Sequence, residues 1–193
     1  MRRAEQREQT RQALVRESRR LFATLGYAAV GLSQIVSAAG VTKGALYHHF
    51  DSKADVFRAV LEQVQQEVAE QVVAAAEAQD GSWARLVAGC RAFLSASTAP
   101  EVQRIMLVDG PAVLGWADWR ALDEAASAHH LAEALADLVA DGTIPAQPVE
   151  PLAHLLSGAM NEAALWLATT TSPTALEQTW AALTRLLDSL RTR

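Results

Sequence analysis

The stretch Ala38-Ala39-Gly40-Val41-Thr42-Lys43-Gly44-Ala45-Leu46-Tyr47-His48-His49-Phe50 sets a glycine between two short segments of helical periodicity. Upstream, Leu32, Ile35, Val36 and Ala39 recur at the spacing of one helix face, and Gly40 suits the left-handed residue that ends a helix. Downstream, the hydroxyl of Thr42 can cap the first turn of a second helix reaching about Phe50. The pattern predicts a helix-turn-helix. With Leu46 inward and about 100° per residue, Thr42, Lys43, His49 and Phe50 fall within about 60° of it, whereas Gly44 and His48 point away, flanked by Ala45 and Tyr47. That outward face offers a bare backbone, a methyl, a phenol and an imidazole, with Lys43 able to reach round the helix start. Small groups for close approach to base edges and donors for bases and phosphates are what a recognition helix needs. A glycine inside a helix costs about 1 kcal/mol relative to alanine, and access to DNA is a reason to keep Gly44.

Working outward, Leu14, Ser18, Leu21, Phe22 and Leu25 line one face of a preceding helix, which Gly26 ends. On the other side, Ser52 and Asp55 have the spacing of a capping box with Asp in place of Glu. They open a helix that buries Val56, Phe57, Val60, Leu61, Val64 and Val68 and reaches about Ala78, roughly 40 Å at 1.5 Å per residue. Such a helix can join two units, residues 1–55 and residues 56–193. The second half is Ala-rich, with breaks expected at Pro100, Pro111, Gly142 to Pro148 and Pro173. The predicted fold class is all-α throughout.

Gly26-Tyr27, Ile35, the run Ala38 to Phe50, Ser52-Lys53 and Phe57 together closely resemble the DNA-binding domain of TetR-family regulators, over roughly residues 10 to 60. Several spacings match at once, which makes the resemblance specific. It implies a three-helix head followed by an all-helical ligand-binding and dimerisation domain, and a repressor released from a palindromic operator by a small, largely apolar effector. By motif position it implies base contacts from Thr42, Lys43, Gly44, Ala45 and Tyr47, and backbone contacts from Tyr47, His48, His49 and Lys53. Where family members carry hydroxyls ahead of the second helix, this chain has Val30 and Gly31, and Ser33 is the substitute for a phosphate contact. Each residue also has a plainer role open to it: Tyr47 could cover the junction with the long helix, and His48 could be a solvated imidazole.

Charge agrees with a DNA-facing head. The net charge is -5, yet residues 1–58 hold ten Lys or Arg against five acids, and the rest holds seven against 17. A basic head on an acidic body favours polyanion contact at the N-terminal end. Half the residues are hydrophobic, which excludes a largely disordered chain. The most apolar stretch, Pro151 to Leu176, is interrupted by Glu162 and Pro173, so no membrane span is expected. The polar start and the single cysteine, Cys90, lead to the expectation of a cytoplasmic protein.

In the acidic half, Leu152, Leu156, Ala159, Ala163 and Trp166, and then Leu176, Trp180, Leu183, Leu187 and Leu190, are spaced as coiled-coil-like seams. They are the expected homodimer contact, though each seam could equally pack within its own chain. Candidate effector contacts are Trp116, Trp119, Arg120, His154, Asn161 and Glu162; Asn161 and Glu162 interrupt the most apolar helix, where a buried polar group needs a partner. Cys90 with His129, His130 or His154 forms no local catalytic motif, so the chain is not expected to be an enzyme. The adjacent spacing of His129 and His130 argues against both rings serving one metal ion, and neither metal nor cofactor is expected. The competing function is a helix-turn-helix DNA-binding protein without a small effector, controlled by a partner or architectural. A dry, solid C-terminal core would mark it, against a cavity for the effector-controlled protein.

Overall fold

The computed structural model describes residues 2–192, and among them every regular element is helical. The order is α1 (Arg2–Leu25), α2 (Leu32–Ala38), α3 (Lys43–Tyr47), α4 (Lys53–Glu77), α5 (Ser82–Ser97), α6 (Pro100–Val102), α7 (Gly110–Leu114), α8 (Trp116–Asp123), α9 (His129–Ala140), α10 (Val149–Thr169) and α11 (Ala175–Asp188). Two π-helical turns, Gln103–Asp109 and Glu124–Ala128, lie between α6 and α7 and between α8 and α9. No helix among the described residues is long and apolar enough to cross a membrane.

Local chemistry sets the head's boundaries. Gly26 and Gly40 adopt φ of 79° and 66°, where a side chain is strained, and they end α1 and the turn after α2. Thr42 Oγ1 accepts the Ala45 N–H at 3.1 Å and starts α3. Ser52 Oγ accepts the Asp55 N–H at 3.1 Å while its own hydroxyl donates to Asp55 Oδ2 at 2.9 Å, so the shorter Asp turns onto the capping hydroxyl rather than the backbone. Gly31, the N-cap of α2, has no side chain to offer, and Gln34 Oε1 reaches back to accept its N–H at 2.7 Å. Leu14, Phe22, Ile35, Leu46 and Phe57 are wholly buried where α1 to α4 meet. Helix α3 is shorter than expected, ending at Tyr47, with Phe50 buried in the turn that follows.

In the second half α4 runs along α5, and the remaining helices wrap this pair. The break expected at Pro111 falls instead at Gly115, whose φ is 80°. A proline interrupts a helix by lacking an N–H and crowding the carbonyl four residues back. Here it sits at the second position of α7, directly after the wider π turn, so the chain continues through it. That π turn is held from the side: the Trp119 indole donates to Met106 O at 2.7 Å, and a Cβ on Gly110 would come within 2.8 Å of the same indole.

Candidate nucleic-acid interface and effector cavity

The outer face of the head carries Thr42, Lys43, Gly44, Tyr47 and His48, all exposed, with Ala45 half-buried beside them. Among the described residues, a Cβ built on Gly44 would meet only the Thr42 hydroxyl, at 3.9 Å, so the backbone here is uncovered. Lys43 Nζ stands 6.0 Å from the Tyr47 ring centre, which groups the two donors. A groove of about 410 Å³ between α1 and α3 adds Gln6, Arg7 and Thr10 to Ala45, His48 and His49. These α1 residues escaped the sequence reading; the head's excess of arginine was their only signal. His49 is half-buried, and burial, reinforced by Arg7 and Arg11, holds its imidazole below the ordinary histidine value. It therefore brings a neutral donor or acceptor to this groove. Ser33 is exposed at the start of α2.

Lys53 has partners other than the expected phosphate. Its Nζ donates to Tyr27 O and Val30 O, both at 2.9 Å, and stands 3.9 Å from the Tyr27 ring centre. Its charge thereby closes the loop between α1 and α2. Tyr27 packs in turn with Phe22 and Phe57, at centroid distances of 5.6 and 5.2 Å.

The second feature is a cavity of about 720 Å³ among α4, α5, α8, α9 and α10. Val72, Leu86, Phe93, Leu131 and Met160 provide apolar wall, and Cys90, Asp123 and Ser157 line it as well. Burial pushes the Cys90 thiol up to about 12, so it enters no thiolate chemistry at neutral pH. The six expected effector residues are arranged differently: none of them lines this cavity. Arg120, His154 and Asn161 do converge, but one layer behind its wall, on Asp123 and Ser157. Arg120 donates to Asp123 Oδ2 at 2.8 Å and Ser157 Oγ at 2.9 Å and contacts His154 Nδ1 at 3.1 Å, while the Asn161 amide donates to Asp123 Oδ2 at 3.3 Å. The Asn161 amide oxygen is buried without a partner. Burial raises the Asp123 carboxyl above its ordinary value, against the pull of Arg120 and these hydrogen bonds. Trp119 is core, Trp116 is exposed against it at a centroid distance of 5.0 Å, and Glu162 faces outward. Asp123 was missed because nothing in its neighbourhood marks it as buried; only the fold brings Asn161 to it.

Two further expectations need correcting. Leu156, Leu183 and Leu187 are buried in the chain's own core, Leu187 completely, and offer a partner little surface. The outward stripe runs one residue away on α11, through Ala182 and Leu186, and on α10 it joins Leu155 and Glu162 to Ala159 and Trp166. Of the expected seams, Ala159 and Trp166 stay on the outer face, while Ala163, Leu176, Trp180 and Leu190 are half-buried. The histidine rings also meet despite adjacent spacing: His129 and His130 have centroids 3.7 Å apart, and with Glu133 their donor atoms lie within 4.8 Å of one another. The π turn that ends at Ala128 delivers the chain to this corner.

Residues 14–60 match the family model described as bacterial regulatory proteins of the tetR family, and residues 83–190 match the tetracyclin repressor-like C-terminal domain. A TetR-family transcriptional regulator from Pectobacterium atrosepticum superposes with a TM-score of 0.84 at 32% identity, over 98% of this chain and 97% of that one. RolR in complex with resorcinol shares the fold, with a TM-score of 0.74 at 18% identity over 95% and 89% of the two chains. The HTH-type transcriptional regulator TtgR of Pseudomonas putida is 34% identical over 76 residues, 39% of this chain and 36% of that protein. AcrR of Shigella flexneri is 38% identical over 63 residues, 33% and 29% of the two lengths. The chain thus aligns with only about a third of these curated relatives. Head and body each match on their own, one whole structure spans both, and the chain belongs to the TetR family of bacterial regulatory proteins.

Proposed function

We propose that the protein is a homodimeric repressor that binds a palindromic DNA operator through α3 and is released when a small molecule enters the cavity of the second half. The observation that carries the DNA reading is the outer face of α3, where Thr42, Lys43, Gly44, Tyr47 and His48 are exposed together on a helix-turn-helix. Lys43 and Tyr47 supply base contacts, Thr42 and His48 phosphate or base-edge contacts, and Gly44 with Ala45 the clearance for approach. Two heads supply two half-sites, since one short helix reads only a few base pairs.

The cavity supports effector control over an effector-free architectural role, because an architectural protein has no use for about 720 Å³ of empty, largely apolar space. RolR, which shares the fold, binds resorcinol. The test is selection of a binding sequence from a random duplex pool, followed by anisotropy titration against salt. A palindromic consensus bound far more tightly than random duplex is expected, with affinity falling steeply as salt rises. Equal affinity for all sequences would leave the protein a non-specific DNA binder.

A further inference from the structure

The cavity's charge is strongly one-sided. Among the described residues Glu77, Asp123, Glu133, Asp137 and Asp141 line it, against Arg85 as the one Lys or Arg. Arg85 is exposed and turned to the backbone, its Nε donating to Gln79 O at 3.1 Å. Asp141 is occupied by Ser82 and by the Thr143 N–H, and Glu133 faces His130 at 3.5 Å. Glu77 and Asp137 make no ion pair among the described residues.

At the inner wall, Asp123 is 3% exposed, and its three hydrogen bonds, from Arg120, Ser157 and Asn161, all land on Oδ2. Its Oδ1 accepts none among the described residues. Asp123 lines the cavity, and this oxygen is not among the fully enclosed unpartnered atoms of the described residues, so a donor in the cavity can reach it. Val72, Leu86, Phe93, Leu131 and Met160 give the same cavity its apolar wall, and Glu77, Glu133, Asp137 and Asp141 are its exposed acidic lining. An anion entering here would meet like charge in that lining and a buried carboxylate as well. A neutral apolar molecule would gain burial alone. A bulky cation gains burial together with the field of the acidic lining.

We infer that the cavity selects lipophilic cations, organic molecules with a large apolar body and a positive centre, as the effectors of this regulator. The inference rests on the effector-controlled reading above and narrows it to one ligand class. The apolar body lies on the Phe93 and Met160 wall, and the positive centre sits among Glu77, Glu133 and Asp137, or beside Asp123 Oδ1 where it carries an N–H.

Three probes of similar shape and different charge test it: tetraphenylphosphonium, triphenylphosphine oxide and tetraphenylborate, titrated calorimetrically into the intact protein. The phosphonium should bind at least about tenfold more tightly than the borate, with the neutral oxide between them, and should release the protein from its selected operator. Glu77, Glu133 and Asp137 are all exposed, so the triple variant Glu77→Gln, Glu133→Gln, Asp137→Asn should fold normally. It should weaken phosphonium binding roughly 3- to 150-fold and leave the oxide within about twofold. Borate binding as well as phosphonium, or a triple variant with unchanged phosphonium affinity, overturns the charge selection. Release of operator by the oxide or borate in that case leaves effector control standing. Failure of all three probes to bind overturns the cation inference alone; effector control falls only if no compound bound in the cavity releases operator.

Discussion

The Tyr27 N–H donates to Asp109 Oδ2 at 2.9 Å, joining the loop after α1 in the head to the π turn that precedes α7 in the body. Arg104 tightens the joint: its guanidinium lies against Gly26, where an added Cβ would fall 1.8 Å from Nη2, and its Nε reaches Asp109 Oδ2 at 3.3 Å. The π turn is also where the Trp119 indole grips Met106 O, and Trp119 belongs to α8, the helix that ends at the cavity residue Asp123. Cavity and head are thus connected through one short, hydrogen-bonded corner. Asp109→Ala leaves the Tyr27 N–H without its acceptor, and about 1 to 3 kcal/mol of stability should go with it. The variant should still bind operator, but effector-driven release should weaken severalfold. A variant with wild-type release in an anisotropy competition would place the coupling on α4 alone.

Lys53 and Lys43 should separate cleanly. Lys53 spends its charge on two carbonyls and a tyrosine face, so Lys53→Met should lower stability by about 1 to 3 kcal/mol in a denaturant titration. Exposed Lys43 has no such internal bonds, and Lys43→Ala should leave stability nearly unchanged. It should instead cut operator affinity by about 1 to 3 kcal/mol if it reads a base, or reduce the slope of log affinity against log salt by about 1 if it meets a phosphate. A larger fall in salt slope for the Lys53 variant than for the Lys43 variant would return Lys53 to the DNA surface.

Arg120 is the counter-charge that makes buried Asp123 tolerable. Burial raises the Asp123 carboxyl above its ordinary value of 3.8 even with Arg120 at 2.8 Å, and Arg120→Met should raise it further. A folded-state value above the unfolded one favours the fold below the unfolded value and loses that benefit as pH rises through the folded value. The variant should therefore lose about 2 to 4 kcal/mol at neutral pH and recover part of the loss as pH falls toward 4. Chemical denaturation across that range measures it; a pH-independent loss would assign the effect to packing.

The thiol of Cys90 offers a probe of the cavity wall. Its burial and its value of about 12 predict negligible reaction with a disulfide reagent in the native protein at neutral pH, and rapid reaction in denaturant. Because Cys90 lines the cavity, a bound effector should slow the residual native reaction further, whereas fast native labelling would show that α5 opens readily.

What could be read from the sequence was what acts over one helical turn. Gly26, Gly40, Thr42 and Ser52 signal helix ends through backbone conformation and capping, which depend on neighbours a few residues away. Spacing placed Gly44, Tyr47 and His48 on the outer face of α3 for the same reason, but it turned Thr42 and Lys43 inward, and both are exposed, as the cap and the first residue of a five-residue helix. Asp109 and Asp123 gave no such signal, because their partners Tyr27 and Asn161 stand far along the chain and only tertiary packing supplies them. Pro111 misled because the cost of a proline depends on the carbonyl before it, which the π turn displaces.

The dimer seam shows the remaining limit of periodicity and leads to the sharpest prediction. Helix α11 has an apolar residue at both 186 and 187, and a 4-3 pattern drawn through Leu183 and Leu187 cannot say which face meets another chain. In the structure Leu187 is 0% exposed and Leu186 is 58% exposed, while on the adjacent α10 Leu155 is 71% and Trp166 49% exposed. Large apolar side chains repeated along two packed helices form the kind of patch a partner covers. In a twofold dimer the same stripe meets its own copy, which makes each substitution count twice. Leu155→Glu with Leu186→Glu should therefore give a monomer in sedimentation velocity with unchanged helix content, and operator affinity should fall because the second half-site contact is lost. Leu187→Ala should behave oppositely, costing about 2 to 5 kcal/mol of stability through an internal cavity while the protein stays a dimer at concentrations where it is folded. A dimer that survives both glutamates would put the interface on another face, and a monomer produced by Leu187→Ala in a fully folded protein would restore the inner seam.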